Sequence, residues 1–249
     1  MNKLNLVFLD TETTGLSTED RLCQVAYKFQ GEEKNELFKP ALPISVEAMS
    51  VAHITNRMVA DKGPFKDSKM FEDLRNIFEN NENILVAHNA GFDAEILRRE
   101  GLEIIKTIDT FKIAHHLDKE AQISRYNLQY LRYYFDFEIA DAPAHDALGD
   151  IRVLEVIFDF YFAKMKEEGL TEEEVISEML RISALPILIK KFNFGKYQGE
   201  KIEDVAMKDR GYLKWLLDQK LKAKQSGEDE SEDWIHTLRH YLGEKATLF

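Results

Sequence analysis

The chain has 249 residues, 44% of them hydrophobic, which suits one sizeable globular domain plus a smaller one and excludes disordered and fibrous classes. A single cysteine, Cys23, leaves no intramolecular disulfide framework and no cysteine-rich zinc site, and reads as a buried apolar thiol in a reducing compartment. The net charge of −12 argues against a broad basic-patch binder of nucleic acid, although bound cations and backbone N–H groups can hold phosphate in an acidic protein.

Leu6 to Leu9 is an apolar run of strand length leading straight into Asp10-Thr11-Glu12-Thr13-Thr14-Gly15-Leu16. Cys23 to Phe29 alternates as a second strand, Gly31 to Lys34 reads as a hairpin turn, and Glu36 to Lys39 as the return strand. Pro43 to His53 and Asp67 to Glu79 read as helices. Ile84 to Ala87 is a short β-rich run, followed by His88-Asn89-Ala90-Gly91-Phe92-Asp93 and a helix with Phe92, Ile96 and Leu97 on one face. Ile104 to Ile108 is strand-like and precedes a helix from Thr110 to Leu117, while Asn127 to Phe135 and His145 to Lys166 are further helical patterns. Hairpin strands followed by strand–helix alternation predict an α/β fold, a mixed sheet flanked by helices.

Past Lys166 the texture changes. Thr171 and Glu174 are spaced as a capping box for a short helix that ends before Pro186. Phe192 to Lys201 reads as a small hairpin, Asp209 to Leu221 as an amphipathic helix, and Gly227 to Asp233 as an acidic loop, with Ser231 capping a last helix that Gly243 stops. The expected organisation is a domain over 1–165, a helical linker over 166–189 and a small α+β C-terminal region over 190–249. Charge divides unevenly along it, for eleven Lys and Arg face five Asp and Glu from Arg181 to Lys224. No apolar run approaches the roughly 20 residues of a membrane span and no secretory leader is evident, so a cytoplasmic protein without a membrane partner is expected.

Chemistry concentrates in the acids. On an extended strand alternate side chains share a face, so Asp10 and Glu12 project side by side at the sheet's end. Two carboxylates that close repel unless a cation sits between them, and their hard oxygens suit Mg²⁺ or Mn²⁺ completed by water and substrate phosphate. The same residues, taken alone, equally make a polar strand end before a Thr-Thr-Gly turn. Asp93 follows a strand and a turn, which places it at the same end of the sheet, although a carboxylate there is also simply favourable near a helix N-terminus. His145 and Asp150 stand five residues apart at the start of a long helix, where both can face one site or remain solvated.

Together and in this order, these motifs resemble the DEDD family of 3′-to-5′ exonucleases in its histidine subtype, over residues 1 to about 165. The resemblance implies a ribonuclease H-like fold with a mixed five-stranded sheet, and Asp10, Glu12, Asp93 and Asp150 arranged around two divalent ions, Mg²⁺ or Mn²⁺. It also implies that His145 is the general base, an imidazole with an ordinary pKa near ~6.5 being able to take a water's proton near neutral pH. Two ions roughly 3.5–4 Å apart stabilise both the attacking hydroxide and the departing 3′ oxygen. In that scheme Asp10 bridges them, Glu12 and Asp150 complete the ion that binds the water, and Asp93 ligates that ion or holds its hydration shell. Nucleoside 5′-monophosphates would leave from a free 3′ end.

By the same resemblance Thr11, Thr13, Thr14, Gly15 and Leu16 hold the terminal nucleotide, Leu16 against the bases, with Asn89 and Phe92 among the substrate contacts. Family members carry a His-x-Ile-Thr segment near the terminal sugar, and Val51-Ala52-His53-Ile54-Thr55 sets its histidine, His53, one place later. His88, His115 and His116 match nothing in the catalytic pattern and read as structural or exposed.

Phe192 to Gly199 and Gly211-Tyr212-Leu213-Lys214-Trp215-Leu216 are similar to the C-terminal region of the exodeoxyribonuclease X group of that family, as are Pro40 to Ser45 and Met58 to Lys62. The resemblance then covers nearly the whole chain and implies removal of nucleotides from DNA with a free 3′ end, in repair or replication. The lysines and aromatics of the C-terminal region either bind DNA or form a small core with a solvated basic face. Lys245 to Phe249 resembles the Leu-Phe peptides that dock on sliding clamps, making Leu248 and Phe249 candidate clamp contacts, against a tail folded on its own domain. The alternatives are an exoribonuclease or proofreading subunit of the same fold, and a non-catalytic nucleic-acid-binding module.

Overall fold

Val7 and Leu9 point to one face of strand β1 (Leu6–Thr13) and Phe8 to the other, as the two-residue period of a strand requires. The first pair joins a buried cluster with Leu74, Phe78 and Leu97, whereas the Phe8 ring meets Phe158 edge-on with 5.4 Å between centroids. Each fully buried side chain of this size contributes on the order of 2 kcal/mol. A one-residue slip would exchange the two faces, so apolar burial fixes the register of β1 and with it the direction of Asp10 and Glu12. The computed structural model describes residues 5–139, 147–226 and 232–244.

Strand β1 pairs antiparallel with β2 (Leu22–Phe29), which pairs antiparallel with β3 (Glu32–Leu37). Helices α1 (Val46–Ala52), α2 (Asn56–Val59) and α3 (Lys69–Glu79) lead to β4 (Ile84–Ala87), which lies parallel to β1. Helix α4 (Ala90–Arg99) follows, then β5 (Thr107–Asp109), parallel to β4, and helices α5 (Thr110–Leu117), α6 (Leu128–Tyr134), α7 (Ala147–Lys166) and α8 (Glu172–Ala184). The sheet order β3-β2-β1-β4-β5 is the expected mixed five-stranded sheet flanked by helices. Because β1, β4 and β5 run parallel, their carboxyl ends open on one edge, the usual seat of ligands in such sheets. Strand β1 outruns its pairing with β4, which ends at Phe8↔Val86, and so carries Asp10 and Glu12 past that edge.

Three local expectations need correction. The hairpin turn is Gln30-Gly31, not Gly31 to Lys34: both residues have positive φ, the pattern of a type I′ turn, and Phe29 already pairs with Glu32. Strand β5 pairs at Thr107–Asp109 rather than Ile104–Ile108, because Ile104 is drawn into the core cluster below the ladder. The region Phe192 to Lys201 forms no hairpin; one antiparallel bridge, Lys191↔Lys201, closes around a 3-10 turn at Gly195–Tyr197. The Thr171 capping box is present, the Thr171 N–H donating to Glu174 Oε2 at 2.9 Å and the Glu174 N–H to Thr171 Oγ1 at 3.3 Å.

The chain forms two compact units, Met1–Ile113 with Arg125–Ser183, and Ala114–Ser124 with Ala184–Phe249. The first therefore runs through α8, and the second takes an insertion-like piece from the middle of the chain. In the second unit α9 (Ile202–Lys208), α10 (Arg210–Ser226) and α11 (Glu232–Tyr241) enclose Leu213, Leu238 and a Phe192–Trp234 stack at 5.6 Å. Lys190 fastens the inserted piece, its ammonium donating to the carbonyls of His115 and Asp118. Among the described residues no helix is long and apolar enough to cross a membrane.

Candidate active site

Asp10 and Glu12 share the Phe8 face of β1, the face that packs against α7, and α7 carries Asp150 in its first turn. Thr11, between them, turns the other way and meets α4. Its backbone N–H and its hydroxyl both donate to Asp93 Oδ1, at 3.0 and 2.7 Å. Thr11 thus fixes an acid on a helix roughly eighty residues later, while Asp150 comes from α7, which packs on the opposite face of the same strand.

Electrostatics report the gathering. Burial pushes the Asp10 carboxyl well above the usual carboxylate range, and the charges of Asp93, Glu12 and Asp150 add to it. Burial and then Asp150 raise Glu12 to about 7. Asp93, only 4% exposed, is also raised to about 7, burial outweighing the two Thr11 hydrogen bonds that favour its charged form. Asp150 is held on one side by Gln129, whose Nε2 donates to its Oδ1 at 2.5 Å.

Among the described residues no three His, Cys, Asp or Glu side chains stand as a finished cation cage. The donor set nonetheless fits divalent ions: hard carboxylate oxygens at one edge of the sheet, with Asp10, Glu12 and Asp93 disfavoured as anions by burial, and Asp10 and Glu12 further by neighbouring carboxylates, until a cation arrives. His145 lies outside the described residues, as do Leu248 and Phe249.

The segment after the acids is tied into a loop. Thr14 Oγ1 donates to Asp20 Oδ1 at 2.6 Å, the Ser17 N–H donates to Asp20 Oδ2 at 2.6 Å, and the Arg21 N–H donates to Thr14 Oγ1 at 3.0 Å. A Cβ on residue 15 would lie 2.6 Å from Asp20 Oδ2, so only glycine admits this closure. Thr13 Oγ1 donates to the Gly15 carbonyl at 2.6 Å, and Leu16 is left 89% exposed, an apolar side chain at the loop's tip with no core to enter.

The other expected contacts divide. Thr11 is buried and gives both its donors to Asp93. Phe92 packs partly against the main core cluster, while Asn89 is exposed in the left-handed region, φ 70°, as the residue that starts α4. His53 is exposed at the end of α1, also left-handed. His88 is structural: Nε2 donates to the Tyr126 carbonyl at 2.6 Å, Nδ1 lies 2.9 Å from Thr110 Oγ1, and burial lowers its pKa to about 4. Cys23 is the expected buried thiol, its pKa raised to about 12 by burial.

Sequence reasoning missed Asp109. Its Oδ1 accepts the N–H groups of Asn89 and Phe111, both at 3.0 Å, and of Lys112 at 3.4 Å, joining the start of α4 to the start of α5. Its Oδ2 is buried and has no hydrogen-bond partner. An acid at a strand–helix junction before Thr110 is a helix-start signal, and that much could have been read. The reach to Asn89 is tertiary.

Residues 7–158 match the Exonuclease family, and residues 192–220 match the Exodeoxyribonuclease X-like C-terminal family. The chain belongs to the exonuclease family. Within it, the chain is 32% identical over 245 residues to Exodeoxyribonuclease 10 of Escherichia coli strain K12, covering 95% of this chain and 98% of that one. It is also 32% identical over 186 residues to a DNA polymerase III subunit epsilon-like protein of Rhodobacter capsulatus, covering 69% of this chain and 25% of that protein. Among solved structures, Exonuclease X in complex with 5′ overhanging duplex DNA aligns with a TM-score of 0.53 at 28% identity, over 72% of this chain and 99% of that one. Exonuclease I of E. coli with a dT13 oligonucleotide aligns with a TM-score of 0.52 at 19% identity, over 64% of this chain and 40% of that one, a likeness of fold. The four acids of this exonuclease-family chain all fall within or beside the matched segment, at the edge where the parallel strands end.

Proposed function

We propose that the chain is a metal-dependent 3′-to-5′ exodeoxyribonuclease that hydrolyses DNA from free 3′ ends to nucleoside 5′-monophosphates. The observation that carries this reading is the gathering of four carboxyls at a single sheet edge, where Asp10 feels the charges of Asp93, Glu12 and Asp150 and Glu12 that of Asp150, in a chain similar along nearly its whole length to an exodeoxyribonuclease. Asp10, Glu12, Asp93 and Asp150 would hold two ions, Mg²⁺ or Mn²⁺. When bound, such ions supply charge stabilisation at both the entering and the leaving oxygen.

The chain's own residues do the rest. Thr11 sets Asp93, Gln129 sets Asp150, and the Thr14–Asp20 closure presents Leu16 and the backbone of Thr13 to Gly15 to the terminal nucleotide. His145 is assigned to accept the proton of the attacking water. We read the protein as a cytoplasmic enzyme of DNA repair or replication, with a clamp contact through Leu248 and Phe249 that deletion of those two residues would abolish.

The test uses end-labelled single-stranded DNA, duplex DNA and RNA, each with a free or a blocked 3′ end, incubated with Mg²⁺ or Mn²⁺. Stepwise shortening of DNA with release of nucleoside 5′-monophosphates, abolished by the block, is the expected result. Preference for RNA, or cleavage that ignores the block, would overturn the reading.

A further inference from the structure

In the second unit Tyr197 and Tyr212 pack against the core, and Trp215 extends their run of rings out to the surface. Gly195, at φ +72°, begins the 3-10 turn, and a Cβ there would lie 2.9 Å from Tyr212 Oη, so glycine lets the phenol settle against the turn. Tyr212 then meets Tyr197 edge-on at 5.0 Å and the Trp215 indole at 5.5 Å with a 32° tilt. Trp234 serves the interior, 7% exposed and stacked on Phe192, whereas Trp215 stands 55% exposed beside the exposed Lys214.

Cations frame these rings. Lys196 Nζ lies 4.6 Å from the Tyr197 centroid and 4.9 Å from that of Tyr212, and Lys208 Nζ lies 4.9 Å from Tyr197 on its own account. Asp209 anchors the group by accepting from Tyr197 Oη at 2.7 Å, Lys196 Nζ at 2.9 Å and the Tyr212 N–H at 3.0 Å. Lys208 pairs with Glu200. Both ion pairs are at the surface, where such pairs are worth little and yield to a stronger anion. The surrounding stretch from Arg181 to Lys224 holds a surplus of six positive charges in a chain whose net charge is −12.

Flat aromatic faces bordered by ammonium groups hold an unpaired nucleic-acid strand by stacking and charge, without reading its sequence. A duplex hides its base faces, so an open indole suits a single strand. We propose that Trp215, Lys196, Lys208 and Lys214 form a second DNA contact, a platform for an unpaired base and its flanking phosphates, separate from the acidic centre. This deepens the proposed function and takes from it only the identity of the polymer.

The experiment uses the full chain in chelator, where no hydrolysis occurs, with a labelled thymidylate oligonucleotide followed by anisotropy and by tryptophan quenching. Trp215→Ala is expected to weaken binding roughly tenfold and to remove most of the quenching, with Trp215→Phe intermediate because a ring remains. Replacing Lys196 and Lys208 together by Ala is expected to lower the salt slope of log affinity by about 1.4, two phosphate contacts on a single strand. Unchanged affinity and quenching in a Trp215→Ala protein that unfolds at the ordinary temperature would overturn the proposal. So would loss of self-association in sedimentation, with DNA binding intact, which would mark the surface as a contact between copies. Should Trp215→Ala not fold, the Phe and Lys variants decide by the same readouts. Trinucleotide hydrolysis by the unaltered chain with Mg²⁺ tests the nuclease reading by itself, so the two can fail independently.

Discussion

Thr11 delivers two hydrogen bonds to one oxygen of Asp93, from its N–H at 3.0 Å and its hydroxyl at 2.7 Å, across eighty-two positions of sequence. Thr11→Val keeps the shape and the N–H bond but removes the hydroxyl donor to a buried carboxylate. A stability loss of about 1.5–3 kcal/mol is expected, the range for a hydrogen bond to a charged group. The metal concentration for half-maximal activity should rise as well, and Thr11→Ser should restore both. Denaturant unfolding and a Mg²⁺ titration of nuclease rate are the measurements.

Metal-free protein should lose stability as pH rises. Glu12 and Asp93 ionise near 7 in the folded chain against ordinary values of 4.5 and 3.8, so between those limits the native state binds more protons than the unfolded one. Their contribution is fully present below about pH 4 and is lost as pH passes through 7. Thermal unfolding in chelator from pH 5 to 8 should show the decline, and added Mg²⁺ should flatten it by stabilising the buried carboxylates in their charged form. A flat profile in chelator would contradict the burial that raises these two carboxyls.

Gly15→Ala places a methyl against the Asp20 carboxylate and should open the Thr14–Asp20 closure. The cost in stability is expected at about 1–3 kcal/mol, that of a local steric misfit, with KM for oligonucleotides raised more than kcat is lowered. Leu16→Ala offers the contrast. A side chain this exposed should change stability by no more than roughly 0.5 kcal/mol, so any rise in KM reports substrate contact directly.

Asp109→Ala withdraws one acceptor from three N–H groups at the starts of α4 and α5. Destabilisation of about 2–4 kcal/mol is expected from donors left without a partner, together with reduced activity because α4 carries Asp93. Asp109→Asn keeps an acceptor oxygen in place and should recover most of the stability in denaturant unfolding.

What could be read from the chain was what depends on period and order. The two-residue alternation of β1 put Asp10 and Glu12 on one face, and apolar runs with helix starts located β4, α4 and α7. The partners of those acids could not be read, because nothing local says that Thr11 faces a helix eighty positions later or that Gln129 reaches Asp150. The hairpin turn was missed for a different reason: Gln30 adopts a positive φ that its residue type does not advertise. Around residues 192–201 the expected hairpin does not form, because the aromatic rings there go to the Trp234 core and leave one bridge of ladder.

Helix α5 has one practical consequence. Its first half belongs to the unit with the sheet and its second half to the other, and the chain returns to the sheet unit at Arg125 before departing again at Ala184. No single scission can therefore free either unit intact. A fragment starting near residue 184 would present Lys190 without the carbonyls of His115 and Asp118, and a fragment ending there would keep an orphaned loop. Limited proteolysis should accordingly yield nicked chains that stay associated, and fusion partners are better placed at the termini than at any internal junction.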